Sequence, residues 1–589
     1  MSRIQHVGLL ILAVAIPLIA VLPLPDFWIT QLNYIGMYSM TVLGLILLTG
    51  VGGLTSFGQA AFVGIGAYTT AWLTLNLGMS PWITLFIGLA LTAASALLVG
   101  LATLRMSGHY LPLGTIAWGL SLYYLMGNID ALGKYDGLLG IKSLTIGNFD
   151  IGQGRAFFVL TWFILLAFVA ASLYLLDSRA GRAMRSLKNG SQMAEAMGIN
   201  TFRYKVTIFV LAASFASVAG WLLAHFQRTV NPSAFGLKMG IEYLFMAVIG
   251  GVGHVWGAIV GAGLIRVLED QLQVLLPKLM GTSGSYEVIV FGIALVVVLK
   301  YLPDGLWSMV GRRFPAKPRA VDWQDANPLP ERAKPATGDL VLDVKQARME
   351  FGGLVAVNDI SFQVHAGQIL GLIGPNGAGK STTFNLITGV LSATSGEVRF
   401  QGNNVIGKPS REIAKLGMAR TFQHVKMIPD MTVLENVALG AHTRGRKGVL
   451  PAMLRANRAE EKQLFREAQR QLERIGMGEY LHEQAGNLAM GPQRLMEIAR
   501  ALCADPTLLL LDEPAAGLRH KEKQALAGVL RQLKSEGMSI LLVEHDMDLV
   551  MQICDHLVVM EFGTLLTQGP PAQIQQDPKV RAAYLGTDH

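Results

Sequence analysis

The chain has 589 residues, too many for one compact domain. Hydrophobic residues make up 51% and charged residues 15%, against about 25% charged in ordinary globular domains, which excludes a wholly soluble fold. The net charge of +8 does not point to nucleic acid, because Lys and Arg cluster beside apolar runs, as they do in cytoplasmic loops of membrane proteins. Arg3 precedes an apolar run, Val7–Leu22, with no small-residue cleavage site behind it, so this is expected to be a retained first span. From Phe27 to Leu104 there is no Asp, Glu, Lys, Arg or His. Apolar segments follow at Tyr34–Gly50, Gly58–Leu77, Trp82–Leu101, Leu111–Met126, Phe157–Leu176, Tyr204–His225 and Val288–Leu302, the last two carrying Lys205 and Lys300 near an end, giving about eight spans.

Ile241–Leu268 is apolar but broken by Gly250-Gly251-Val252-Gly253-His254. It reads either as one kinked span or as a hairpin. Arg179, Arg182, Arg185, Lys188, Arg203 and Lys205 on one side, and Arg312, Arg313, Lys317 and Arg319 on the other, both belong in the cytoplasm. An even number of crossings must separate them, which favours the hairpin. Glycine-broken backbone at membrane depth must be buried in protein or line a cavity, so this hairpin is either part of a pathway or a tight packing corner. The same count places the N-terminus inside and Gly127–Arg155 outside, as a partner-facing loop or a plain connector. No intramembrane charge pair suited to an amino acid's ammonium and carboxylate is evident.

The expected organisation is an all-α polytopic membrane domain over residues 1–310, a Pro-rich linker over 311–338, and an α/β phosphate-loop domain over 339–589. The linker carries Pro315, Pro318, Pro328, Pro330 and Pro335, which stiffen and extend a chain. Cys503 and Cys554 lack metal-like spacing and are expected to be reduced thiols. Ile369–Ile373 reads as a buried strand running into Gly374-Pro375-Asn376-Gly377-Ala378-Gly379-Lys380-Ser381, followed by Thr382. This is a complete phosphate loop in strand–loop–helix context. Its backbone N–H groups cradle phosphates, Lys380 reaches the β- and γ-phosphates, and Ser381 holds Mg²⁺. The nucleotide is expected to be ATP. A second strand, Thr507–Leu511, ends in Asp512-Glu513. Asp512 suits a Mg²⁺ contact and Glu513 suits a base acting on the attacking water.

The spacing of these motifs over Asp339–His589 resembles ATP-binding-cassette domains. That resemblance implies that Gln423, in Thr421-Phe422-Gln423, senses the γ-phosphate and shares the metal with Ser381 and Asp512. It implies a γ-phosphate contact for His545, adenine stacking for Phe351, and a role across the cassette dimer for Ala516-Gly517-Leu518. The signature segment, Leu488-Ala489-Met490-Gly491-Pro492-Gln493-Arg494, departs from the usual Leu-Ser-Gly-Gly-Gln. Leu488, Ala489 and Gly491 would face ATP held by a partner cassette, and the lost serine implies two unequal sites. Gly52–Tyr68 (GGLTSFGQAAFVGIGAY) and Ile249–Ala262 resemble permeases of the leucine/isoleucine/valine uptake family. Ala180–Asn200 resembles their coupling loop, with Glu195, Ala196 and Gly198 in the importer pattern. The resemblance implies ATP-driven uptake of branched-chain amino acids or related small solutes across the bacterial inner membrane, with the cassette cytoplasmic. It also implies a second permease, a second ATPase, an extracytoplasmic substrate-binding protein and surrounding lipid as partners. In that family permease and ATPase are separate chains, so the fusion is a departure. The competing reading is an exporter half-transporter, which fuses its domains in the same order but has long charged cytoplasmic helical extensions.

Overall fold

A computed structural model describes residues 3–105, 110–188, 190–280, 287–302, 304–313, 323 and 325–585. The chain divides into two compact units. One holds Met1–Lys188, Phe202–Ala320 and Val449–Ala456; the other holds Asn189–Thr201, Val321–Gly448 and Asn457–His589.

The first unit is helical: α1 (Arg3–Val21), α2 (Asp26–Leu45), α3 (Gln59–Asn76), α4 (Pro81–Thr103), α5 (Tyr110–Asn128), α6 (Gly154–Leu176) and α7 (Arg179–Ser186). After α8 (Ser191–Ala196), which lies in the second unit, it continues with α9 (Thr201–Gln227), α10 (Leu237–Gly250), α11 (Gly257–Met280), α12 (Glu287–Tyr301) and α13 (Leu306–Arg313). Among the described residues, Asp26–Val51, Pro81–Thr103, Gly154–Leu176 and Thr201–Gln227 are long and apolar enough to cross a membrane. Small residues set the packing, as expected where lipid gives helices no hydrophobic reason to associate. A Cβ on Gly66 would sit 2.2 Å from the Ser217 carbonyl oxygen, and one on Gly220 would sit 1.9 Å from that of Val63. α3 and α9 therefore meet backbone to backbone.

The glycine break at Gly250–Gly253 separates α10 from α11. Gly250 abuts the Gly257 carbonyl and Gly261 abuts that of Met246, so the two helices run antiparallel. α2 ends in a π-helical turn, Ile46–Val51, before an irregular stretch leads to α3. Such turns often mark functional positions.

Residues 129–153 form a loop with short strands of its own. β1 (Leu138–Leu139) awaits a later partner, while β2 (Thr145–Ile146) and β3 (Phe149–Asp150) form a small hairpin; β4 (Thr229–Val230), after α9, pairs antiparallel with β1. Ile141 and Leu144 are fully buried, and His225 Nδ1 lies 2.8 Å from the Lys142 carbonyl oxygen. α11 continues past Leu268, and its Arg266 and Asp270 both bond to Gln31 of α2, with Glu269 paired to Arg266.

The second unit contains β5 (Leu340–Phe351), β6 (Leu354–His365), β7 (Ile369–Ile373), α14 (Lys380–Ile387), β8 (Ser395–Phe400), β9 (Asn403–Asn404), α15 (Ser410–Leu416) and β10 (Met418–Arg420). It continues with α16 (Val433–Ala438), α18 (Arg458–Arg474), α19 (Met490–Leu502), β11 (Leu508–Asp512), α20 (His520–Ser535), β12 (Ser539–Val543), α21 (Met547–Ile553), β13 (His556–Glu561) and β14 (Thr564–Gly569). Between α16 and α18, α17 (Val449–Met453) belongs to the first unit. There Ala452 is buried and the Arg455 guanidinium lies 5.0 Å from the Tyr174 ring centre.

The main sheet has the order β10-β11-β12-β7-β13-β14, parallel except for β14. β7 and β11 are buried along their whole length, which is why both read as unbroken apolar runs. The antiparallel sheet has the order β6-β5-β8-β9. Pro315 and Pro318 lie outside the described residues. Further along the linker, Trp323 stacks on Phe465 at 4.9 Å and Lys334 Nζ donates to Asp505 at 2.7 Å, so this stretch is strapped to the unit. Both cysteines are buried free thiols, and burial pushes Cys554 up to about 12.

Candidate functional site

The phosphate loop leaves β7 at the centre of the main sheet, where the C-terminal ends of parallel strands present their ligand site. Gly374 has φ 151° and Gly379 has φ 92°. Side chains there would sit 2.1 Å from the Met560 carbonyl and 2.5 Å from that of Ala356. Only glycine permits this turn, which aims the loop's amides and the start of α14 at one point. Lys380 is buried at 7% exposure, and its ammonium donates to the carbonyls of Gly374 (2.7 Å) and Pro375 (2.9 Å). Burial lowers its pKa, opposed by the charges of Glu513 and Asp512. Ser381 is exposed at the mouth of the loop, beside Thr382. Phe351, at the end of β5, is 45% exposed, leaving a ring face free for stacking.

Asp512 ends β11 and Glu513 follows it. Gln423 Nε2 donates to Glu513 Oε2 at 3.0 Å, and His545 Nδ1 lies 3.9 Å from the same oxygen. Glu513 has φ 46°, and its N–H donates to the Val543 carbonyl at 2.9 Å. One carboxylate is thus flanked by an amide and an imidazole, in the same unit as a buried ammonium. Such an arrangement has the chemistry to position a water and to stabilise charge growing on a transferred phosphoryl group. Asp512 is 7% exposed and its Oδ1 has no hydrogen-bond partner among the described residues. Its pKa is pushed up to about 6, chiefly by burial and further by Glu513 and Glu544, against Arg420 and Arg494.

Two groups of residues escaped the sequence reading. Glu544 is fully buried; Oε1 accepts from the Ala515 N–H (2.7 Å) and Oε2 from the His545 N–H (3.0 Å). It fixes the loop after Glu513 and the histidine together. The Val-Glu-His-Asp run was visible, but only the histidine stood out. The second group lies on α19. Arg494 donates to the carbonyls of Phe422 (2.9 Å) and Gln423 (2.6 Å), and Arg500 to that of Lys426 (2.6 Å). Glu497 accepts from the Lys426 N–H (3.1 Å) and from Arg500 (3.2 Å). The helix that begins with the signature residues therefore grips the glutamine loop. At its start Ala489 supplies no side-chain cap. Pro492 falls in the first turn, where a missing N–H costs little. Leu488 is buried, and Gly491 is pressed against Glu522.

Glu195, Ala196 and Gly198, read from the sequence as a coupling loop, fold with this unit. Glu195 Oε1 accepts from Thr201 Oγ1 (2.6 Å), and Oε2 pairs with Arg411 at 3.2 Å. Ala196 lines a small cavity with Thr388, Ser410, Ile413, Met418 and Arg420. Gly198 has φ 76°, and a Cβ there would sit 2.2 Å from the Thr443 methyl. We expect Gly198→Ala to cost about 1 kcal/mol of left-handed strain plus that clash. Uptake in proteoliposomes should drop severalfold while ATP affinity, measured by nucleotide titration, stays at the wild-type value.

Residues 28–299 match the model of the branched-chain amino acid transport system permease component, and 357–516 match that of ABC transporters. Residues 564–589 match the branched-chain amino acid ATP-binding cassette transporter model. The high-affinity branched-chain amino acid transport ATP-binding protein LivG of Escherichia coli (strain K12) is 44% identical over 42% of this chain and 98% of its own length. The chain belongs to the branched-chain amino acid ABC transporter family. BraF of Pseudomonas aeruginosa, of the same description, is 42% identical over 98% of its length. A solved cassette of an ABC transporter, in its ADP conformation, is 32% identical and covers 42% of this chain and 99% of that one, with a TM-score of 0.38. This family member thus joins a helical permease to an ATPase whose hydrolysis of ATP is coupled to transport.

Proposed function

We propose that the chain is the combined permease and motor subunit of an importer for branched-chain amino acids or closely related small solutes. It would work in the bacterial inner membrane with its cassette in the cytoplasm. The observation that carries this reading is that Asn189–Thr201, a segment of the permease sequence, folds into the cassette unit beside Arg411 and Arg420. Movement of the cassette on ATP binding would reach the permease through this segment. One permease and one cassette make half a transporter, so a second permease and ATPase complete it. A substrate-binding protein would deliver the solute to the loop at residues 129–153, where Leu139, Ile146 and Phe149 are exposed.

The donor set fits Mg²⁺. Ser381, Gln423 and Asp512 are hard oxygen donors, and Asp512 Oδ1 is unpartnered. Held by Ser381, Gln423 and Asp512, the ion would neutralise charge on the phosphates. Lys380 holds the phosphates, Glu513 orients and deprotonates the attacking water, Gln423 and His545 fix Glu513 and the water, and Phe351 stacks on adenine. Cassette closure shifts the permease only by the difference in ATP affinity between open and closed dimers.

A pH dependence follows from Asp512. It holds a cation only when ionised, so Mg·ATP affinity should fall once pH drops below about 6, and binding near that pH should release a proton. Titration calorimetry in buffers of different ionisation heat measures both. Without the cation the stability effect has the opposite sense. The raised carboxyl favours the folded state below its ordinary 3.8, and this contribution is lost as pH rises through about 6.

The importer reading is tested by ATPase assays in proteoliposomes holding the assembled transporter. Leucine-loaded binding protein should stimulate hydrolysis and drive leucine inward. Hydrolysis indifferent to every binding protein, with outward movement of solute, would replace this reading with the exporter.

A further inference from the structure

We propose that Gln31, Arg266, Glu269 and Asp270 form the place where the permease half holds the charged ends of a zwitterionic solute. The proposal rests on the importer reading and adds a site to it. Gln31 lies on α2, which is apolar enough to span a bilayer, and is only 5% exposed. Its amide joins opposite charges on α11: its Oε1 accepts from Arg266 Nε at 2.9 Å, and its Nε2 donates to Asp270 Oδ1 at 3.0 Å. Arg266 Nη1 also donates to Glu269 Oε2 at 3.0 Å. Ionisable groups among membrane helices are costly and usually lie along a solute or ion path.

The cluster is not used up by its own contacts. The Arg266 guanidinium also lies over Tyr34, but among the described residues its Nη2 and Glu269 Oε1 make no hydrogen bond. The side chains of Arg266 and Glu269 are 21% and 20% exposed, so the pair is not sealed off. A guanidinium edge suits a carboxylate, and a carboxylate oxygen suits an ammonium. An amino acid carries both groups on one carbon. Beside them runs an apolar wall. Arg266 lies 4.8 Å from the Tyr34 ring centre, Tyr34 packs on Phe226 and Tyr38, and Tyr38 packs on Tyr243. An aliphatic side chain would rest there. A cluster serving only to staple α2 to α11 would have no need to stay partly exposed.

The test uses the assembled transporter in proteoliposomes with leucine-loaded binding protein. Stimulation of ATPase by that protein in the unaltered transporter must be seen first; its absence would refute the importer reading rather than this site. Arg266→Gln should then lower leucine uptake about tenfold or more at an unchanged melting temperature. Arg266→Lys should recover part of the uptake. The membrane unit has no cysteine, since Cys503 and Cys554 are the chain's two. Glu269→Cys should therefore react with a membrane-impermeant thiol reagent, and cycling with leucine should slow that reaction. Uptake and ATPase falling together, with a lower melting temperature, would reduce the cluster to a structural staple. Unaltered uptake in Arg266→Gln, or labelling insensitive to leucine, would also overturn the site.

Discussion

Glu513→Gln should abolish coupled uptake and cut ATP hydrolysis at this chain's own site by about 100-fold or more, the usual scale for removing a general base. The amide is isosteric and can still meet Gln423, so ATP affinity should hold. It cannot take a proton from water. Glu513 also sits at φ 46°, a left-handed conformation that costs a non-glycine residue about 1–2 kcal/mol. The backbone bond to Val543 and the contact with Gln423 hold it there. Single-turnover hydrolysis and leucine uptake on the same preparation measure the effect. If uptake remained intact, the partner cassette would be the driving site. The uncapped, serine-free signature of this chain bears on the partner's phosphate loop instead, so the two sites should respond unequally to equivalent changes.

The second large effect is one of stability. Glu497→Ala should cost about 3–5 kcal/mol, because it leaves Arg500, at 1% exposure, and Arg494 buried beside a missing carboxylate. Burial already raises the pKa of Glu497 and lowers that of Arg500, so attraction does not fully offset desolvation. The pair therefore serves position more than stability. Replacing both, as Glu497→Leu with Arg500→Met, should recover most of the melting temperature lost in the single variant. Hydrolysis should stay low in the double variant, because Lys426 loses both its carbonyl donor and its N–H acceptor. Thermal unfolding and ATPase measured together decide the point. Full recovery of both would leave the network a packing feature only.

The phosphate loop and the Asp512–Glu513 strand end were legible because each is a contiguous segment whose chemistry depends on backbone turns and a single buried strand. The glycine break after α10 was visible in the same local way. Glu544, Arg494 and Arg500 were not. On α19 the charges look like a solvated helical face, and only the fold shows that face turned onto the glutamine loop. The Arg266 cluster was missed for another reason. Arg266 sits inside the run read as apolar and Glu269 and Asp270 just beyond it, and the three come together only because Gln31 reaches Arg266 and Asp270 from a helix more than 200 residues earlier. The linker's prolines suggested a spacer, whereas Trp323 and Lys334 find partners that no local pattern foretells.

The exchanged segments have a consequence for how such a gene can evolve. Asn189–Thr201 completes the cassette unit, and Val449–Ala456 completes the helical unit. Cutting the reading frame within the linker would release two polypeptides, each missing a piece of its own interior. The cassette product would lack Met193, Ala194 and Ile199, and the helical product would lack Ala452, all of them buried here. After fission each product would thus carry a short segment counted here in the other unit, a division of labour that a single frame keeps on one polypeptide.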